Sequence, residues 1–368
     1  MRGLKLCAIV AIALFLTGCQ PGGQASTSPS PPSTTAEPSS TTSGPSSTTS
    51  EAPSTTGEEL PTVGDGEEWI VFQGVPLGLS FTRPDGTGNH VILGPPGGQV
   101  HPDWSPDGAE IAYTQSTDQS SDIWITDPQG TNPRQLLVEL PSELGGLFWD
   151  NPAWSPDGSQ IAMVGYEENA QTGLPPRSIL VTVAVDSAEV TVVSELASAD
   201  GFLHAFPRWS PAGDAMVISL DQFEGEEYLG GSIAIIRRTG TGWSEPESIT
   251  EVVGSPRVDW HPADDLIVYA TNDVGAFPFT DDPSNLFTIR PDGTELTQIT
   301  NFGGGEDRAS QPTWTRDGRI IFTHITGAND EQLTVAFIEA DGSGLEIAVG
   351  TDLVGAGNRP HPRLRPVA

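Results

Sequence analysis

Short runs of β-branched and aromatic residues, parted by clusters of Gly, Pro, Asp and Ser, recur along the chain at a near-constant spacing. The runs IAYTQ (111–115), IAMVG (161–165), AMVISL (215–220), LIVYAT (266–271) and RIIFTH (319–324) have the length and residue preference of strands. A second run follows each of them: DIWITD (122–127), SILVTVAVD (178–186), SIAIIRR (232–238), NLFTIR (285–290) and LTVAFIEA (333–340). Turn segments such as DPQGT (127–131), RPDGT (290–294) and EADGS (339–343) then lead into a last short run, RQLLV (134–138), LTQIT (296–300) or LEIAV (345–349). Each unit opens on a tryptophan and a turn: WSPDG at 104–108 and again at 154–158, PRWSPAGD at 207–214, VDWHPADD at 258–265 and PTWTRDGR at 312–319.

The tryptophans fall at 104, 154, 209, 260 and 314. A period of about fifty residues holding four antiparallel strands is the size and content of one propeller blade. The pentapeptide reads as scaffold. Trp ends the innermost strand, where a large flat side chain fills the space between adjacent sheets. Pro presets the first turn position, Asp bonds its own backbone, and Gly takes the left-handed conformation. Ala212 stands in the place of the Asp, and Asp264 in the place of the Gly, where Asp is one of the few side chains expected to accept a left-handed backbone. A catalytic or metal-binding duty for the repeated Asp residues is the alternative, but turn duty already accounts for them.

The ends complete the count. EEWIVFQ (67–73), GLSFTRPDGTG (78–88) and HVIL (90–93) supply a second, third and fourth strand with no first, whereas HPRLRP (361–366) aligns with HPDWSP (101–106) and supplies a first strand alone. Joined, they make a sixth blade from both termini. The expected fold is therefore all-β, a six-bladed propeller over residues 67–368 closed by its terminal strands. Closure removes the exposed sheet edges, so a monomer is expected.

The PxWSPDGxxIAY repeat, with its IWxxDxxG strand and turn, resembles the WD40-like (PD40) repeat of TolB-type six-bladed propellers, also found in prolyl oligopeptidase relatives. The resemblance covers essentially all of residues 67–366 and is specific for fold. It implies a protein partner gripped at one face of the ring, or a role in envelope assembly. It says little about activity, because propellers of this repeat bind proteins, glycans or peptides, or gate attached enzymes.

The first residues have the layout of an export signal: Arg2 and Lys5, an apolar run from 6 to 15, then Leu16-Thr17-Gly18-Cys19. This resembles the bacterial lipobox, which implies a signal peptide over 1–18 and a diacylglyceryl group on Cys19. An ordinary secretory signal, with Cys19 there by chance, is the alternative. The other cysteine, Cys7, lies inside the signal, so no disulfide is expected. Residues 26–56 are almost wholly Ser, Thr and Pro, and 19–66 read as a disordered tether. Its reach is about 145 Å if extended and roughly 40 Å as a flexible coil. TolB-type proteins carry an α/β domain in this place, so their partnerships are not carried over.

The formal charge is −33. That excludes nucleic acid, which needs a basic footprint, and leaves membrane attachment to the acyl chains. An oligopeptidase-type enzyme would need a GxSxG elbow on a following α/β-hydrolase domain, and that pentapeptide does not occur. HExxH, P-loop and dinucleotide fingerprints are also absent from the sequence. A calcium-dependent hydrolase or lactonase of the channel type stays open, because its ligands would come from separate blades. The richest oxygen cluster is TDDPSN (280–285), which lacks the spacing of a calcium loop and reads as a solvated acidic loop. No cofactor is expected. The leading expectation is a lipid-anchored, extracytoplasmic, non-enzymatic binding propeller for an envelope protein or peptide, with a channel hydrolase and a glycan binder as alternatives.

The register of the repeat nominates the site. Three positions ahead of the Trp place lie His101, Asn151, Phe206, Arg257, Gln311 and His361, and one position ahead lie Asp103, Ala153, Arg208, Asp259, Thr313 and Arg363. Both sets are expected to line the channel mouth at which the inner strands begin. Imidazole and guanidinium groups gathered there, in an acidic chain, suggest recognition of a polar or anionic ligand. The alternative is that Asp103, Arg208, Asp259 and Arg363 pair across blade boundaries.

Overall fold

A computed structural model describes residues 61–367 except 65, 75–77, 95–96, 118, 138–143, 145, 168–176, 198–200, 225–226, 253–255, 272–283, 304–306, 328–331 and 351–359. The signal, Cys19 and most of the tether lie outside the described residues. Six antiparallel sheets form a ring, and there is no α-helix among the described residues.

Counted from the channel outward, blade II is built from Gly98–Trp104, Ile111–Ser116, Ser121–Thr126 and Arg134–Gln135. Blade III runs Leu147–Trp154, Gln160–Glu167, Arg177–Ala184 and Val190–Ala197, and blade VI runs Asp307–Trp314, Ile320–Thr326, Gln332–Ile338 and Glu346–Val349. Blade IV starts at Phe202–Trp209 and blade V at the short Val258–Trp260. Blade I joins the two ends of the chain. Its inner strand is Arg363–Leu364, paired with Ile70–Gly74, followed by Gly78–Thr82 and His90–Leu93. The pairs Ile70–Leu364 and Val71–Arg363 set the register, and two backbone bonds extend it, Gln73 N to Pro360 O and Arg365 N to Trp69 O, each 2.7 Å. The ring closes with the strands the sequence assigns to it. Val63 is also buried, in the cluster around Trp69, so ordered packing reaches into the segment read as tether.

The core is divided into slabs between blades rather than gathered in one centre. Trp104 packs with Val71, Leu79 and Phe81 of blade I, Trp154 with Ile123 and Ile125 of blade II, and Trp209 with Val164 and Leu180 of blade III. Trp260 and Trp314 do the same against blades IV and V. The indole N–H of Trp104 donates to Arg363 O at 3.2 Å, and that of Trp209 to Ala153 O at 3.1 Å, so the ring nitrogen bonds the neighbouring inner strand. At these rings, burial of apolar area and a directed hydrogen bond act on one side chain.

The turn chemistry follows the sequence. Gly108 N, Gly158 N and Gly213 N close turns on the carbonyls of Ser105, Ser155 and Ser210 at 2.8–2.9 Å. The Ser105 hydroxyl donates to Asp107 Oδ1 at 2.6 Å and accepts from Glu110 N at 2.9 Å, and Ser155 repeats both bonds with Asp157 and Gln160. Those hydroxyl bonds lower the carboxyl pKa values of Asp107 and Asp157. The VDWHPADD turn departs from expectation. Asp264 is not in the left-handed region, because the His261 imidazole takes the place of the Ser hydroxyl, accepting from Ala263 N and Asp264 N at 3.1 and 3.0 Å and changing the shape of the turn.

Candidate functional site

Five residues three places ahead of the Trp position have left-handed backbones: His101 (φ 52°), Asn151 (57°), Phe206 (48°), Gln311 (54°) and His361 (45°). Each precedes a proline, which ordinarily steers its neighbour to extended conformations. A non-glycine residue held in this region costs about 1–3 kcal/mol and persists only where its surroundings fix it. The strand register shifts at this point in the inner strands of blades II, III, IV and VI, a β-bulge repeated around the ring. Blade V has Val258 where the others have proline, and Arg257 keeps an ordinary φ.

All six residues of this set line one small cavity inside the channel. Gln311 Oε1 accepts from His361 N at 3.0 Å and from Thr323 Oγ1 at 3.0 Å, so Gln311 Nε2 is the donor to His361 Nε2, 2.5 Å away. His101 donates its backbone N–H to Gln73 Oε1 at 2.6 Å, and its Nδ1 lies 2.5 Å from Asp150 Oδ1. The two imidazoles meet edge to face with centroids 4.5 Å apart, and the Arg257 guanidinium lies 3.3 Å above the Phe206 ring centroid. Burial, then His101, Arg257, Arg363 and Arg208, hold the His361 imidazole well below its ordinary pKa, so it is neutral at physiological pH.

The second set forms a ring of charges below the first. Arg363 Nε is 3.4 Å from Asp103 Oδ1, Arg363 Nη1 is 3.3 Å from Asp259 Oδ2, and Arg208 Nε is 3.5 Å from Asp259 Oδ1. Both carboxylates also accept a backbone N–H from the next blade: Trp154 N to Asp103 Oδ2 and Trp314 N to Asp259 Oδ2, each 2.8 Å. Burial, and then Arg363 beside it, bring the Arg208 guanidinium down to about 10, which leaves it charged at neutral pH. Ala153 is buried and contributes only its carbonyl, the acceptor of the Trp209 indole, and Thr313 Oγ1 donates to Pro362 O at 3.1 Å. The four charged residues therefore do pair across blade boundaries.

The two sets do not share the mouth at which the inner strands begin, as the repeat suggests. The bulge places the first set midway down the channel, with His101, Asn151, Phe206 and Gln311 each 9% exposed or less. The charged set opens the other way, into a basin ringed by the tryptophans and by Pro106, Pro156, Pro211, Pro262 and Pro366 of the turns. The two spaces share Arg208 and Arg363 in their walls.

Asp150 is a residue that sequence reasoning missed. It is 2% exposed, and Oδ1 also accepts from Thr114 Oγ1 and Asn151 N, each at 2.8 Å. The available signal was that the equivalent positions in the other blades, Val100, Ala205, Pro256, Ser310 and Pro360, are never acidic. Arg365 was missed as well. It stands where four of the other blades have Ser or Thr and blade V has His261, and its guanidinium bonds three backbone carbonyls, Gly108 O at 2.8 Å, Gly64 O at 2.7 Å and Glu67 O at 3.3 Å. Of the acidic loop, 280–283 lie outside the described residues, and Asn285 Oδ1 accepts from Thr300 Oγ1 and Phe302 N. Among the described residues no cluster of three or more His, Cys, Asp or Glu could hold a metal ion.

The amino-acid sequence matches no protein-family model and no curated protein. Solved structures do match in fold. TolB from Acinetobacter baumannii superimposes with a TM-score of 0.58 at 14% identity, over 82% of this chain and 67% of that one. A putative TolB from Agrobacterium tumefaciens gives 0.53 at 14% identity, over 82% of this chain and 99% of that one. Puromycin hydrolase gives 0.51 at 20% identity over 78% of this chain, but takes in only 46% of the enzyme. With six four-stranded units closed by the terminal strands, the chain has the fold of a TolB-like six-bladed β-propeller.

Proposed function

We propose that this protein is a lipid-anchored, extracytoplasmic binding protein whose propeller holds an envelope protein or peptide against the basin on its turn-bearing face. The observation that carries the reading is the composition of that basin: indole edges, five turn prolines and a ring of paired Arg and Asp side chains. Aromatic residues and arginines of this kind anchor protein interfaces, and rigid prolines lose little entropy when covered. The lipobox around Cys19 and the Ser/Thr/Pro composition of 26–56 support display of the ring away from a membrane. Likeness to TolB in fold is consistent with this role.

A photo-crosslinking residue placed at position 156 or 262, on the exposed rim of the basin, should trap a partner in intact cells, and one at position 192, on an outer strand, should not. Equal trapping from all three positions defeats the assignment of the face. Mass spectrometry of the mature N-terminus tests the anchor, since an unmodified terminus elsewhere than Cys19 removes it.

One observation favours a second reading, a channel hydrolase. The His101–Asp150 contact at 2.5 Å is the arrangement by which a carboxylate orients an imidazole base. Loss of a hydrolytic activity in His101→Gln, with the melting temperature retained, would support it.

A further inference from the structure

We infer that the small cavity midway down the channel is a binding site for a carboxylate group, reached from the basin past Arg208 and Arg363. Its walls hold the side chains of Arg208, Arg257, Arg363, His101, His361 and Asn151, and among the described residues no acidic side chain lines it. That is the reverse of the chain as a whole, whose formal charge is −33. Asp150 lies behind His101, while Asp103 and Asp259 line the basin, where they pair with Arg363 and Arg208 and accept from Trp154 N and Trp314 N.

A second observation points to a ligand. Asn151 is 2% exposed, lines the cavity, and its Nδ2 has no hydrogen-bond partner among the described residues. A buried amide N–H₂ without an acceptor carries a desolvation penalty of about 1–3 kcal/mol, which an oxygen ligand would relieve. The field in the cavity has the matching sign, since the charged groups that depress the His361 imidazole are His101, Arg257, Arg363 and Arg208, all cationic when protonated. Size selects among anions. There is room for about one or two water-sized groups, which suits the two oxygens of a carboxylate and not the four of a phosphate. A planar carboxylate also matches the fork of a guanidinium.

The carboxylate has two sources, a free small acid or the C-terminus of a peptide seated in the basin. The site stands whichever is correct, and it does not require that the basin hold an envelope protein.

The test uses the full-length protein and isothermal titration with sodium acetate, against sodium chloride at equal ionic strength. The same titration is then made with a Gly-Ser hexapeptide bearing a free C-terminal carboxylate, and with its C-terminal amide. Saturable binding of acetate is expected, weakened at least about tenfold in Arg257→Gln and in Asn151→Asp. The second variant keeps a side chain that tolerates the left-handed backbone while placing a like charge in the cavity. Circular dichroism checks the fold of both, and Arg257→Lys, which keeps the charge, should retain part of the affinity. Binding of acetate and of the free-acid peptide but not the amide assigns the site to a peptide terminus, and binding of acetate alone assigns it to a free acid. Acetate heats equal to those of chloride, or unchanged in both variants, overturn the site while leaving the crosslinking result at the basin rim untouched.

Discussion

Five blade boundaries and the closing boundary solve the same packing problem with different chemistry. At the five, a tryptophan fills the gap, and at two of them an Asp one place before the Trp accepts the backbone N–H of the next blade's Trp. At the boundary of blades VI and I Leu364 stands in the Trp place and packs against the blade VI cluster that holds Ile321, Val335 and Phe337. A leucine covers less area than an indole and has no N–H to give. One residue later Arg365, 8% exposed, ties the turn of blade II and the incoming N-terminal segment to the last strand. Hydrogen bonds from a charged donor are each worth more than neutral ones. The break in the chain, which falls inside blade I between Arg363–Leu364 and Ile70–Gly74, is thus held by directed bonds, and the boundaries between blades by packed apolar area.

Deleting 360–367 should have the largest effect, because blade I then loses its inner strand and the Arg365 bonds together. We expect cooperative unfolding at a temperature lower by at least about 10 °C, read by calorimetry. An unchanged midpoint would mean the ring does not depend on closure. Trp209→Ala at a continuous boundary should cost about 4 kcal/mol in chemical denaturation. Arg365→Ala should come next at about 3 kcal/mol, since it strips three carbonyls of a charged partner, and Arg365→Lys should recover only part of that. If Arg365→Ala costs under about 0.5 kcal/mol, the contrast between the chain break and the blade boundaries fails.

Acid offers a fourth probe. His204 is wholly buried at the boundary of blades III and IV, with Ser178 Oγ at 2.9 Å from Nδ1 and Ser194 Oγ at 2.9 Å from Nε2. Burial pushes its pKa down from 6.5 to about 3. A folded-state pKa below the unfolded value means that protons bind the unfolded chain preferentially, so stability is full above pH 6.5 and falls as pH drops from there toward 3. The expected loss from this residue is about 2 kcal/mol at pH 5, and His361 adds in the same direction. In His204→Gln the decline between pH 7 and pH 5 should be shallower; an identical slope would remove His204 from the account.

The smallest effects should come from one pair of glycines. Gly108 and Gly158 have φ of 68° and 72° in the two WSPDG turns. A Cβ at Gly108 would sit 2.8 Å from Pro366 O and 3.0 Å from Arg365 Nε, while at Gly158 the nearest atom is Pro106 Cγ at 3.4 Å. Gly158→Ala should therefore cost about 1 kcal/mol, from the backbone alone. Gly108→Ala should cost about 2 kcal/mol, because it also disturbs the closing strand. Equal values would show that the closing strand is packed no more tightly against its neighbouring turn than a continuous one.

The sequence alone determined the ring. Short β-branched and aromatic runs, a tryptophan turn every fifty residues or so and a blade split between the termini are local or periodic signals, and the pairings of Ile70 with Leu364 and of Trp104 with Ile111 follow from them. Turn roles were legible for the same reason, with Asp264 the exception because a neighbouring His261 took over the acceptor. Which side chains meet in the channel was decided by tertiary structure. The register put six residues at one level and six at another, but only the bulge before each proline sends the first set into a closed cavity, and only ring closure brings Arg363 of the last strand against Asp103 and Asp259 from blades far away in sequence. Asp150 and Arg365 break the repeat, and a residue that breaks a repeat acquires its partners from the closed ring and not from its own unit.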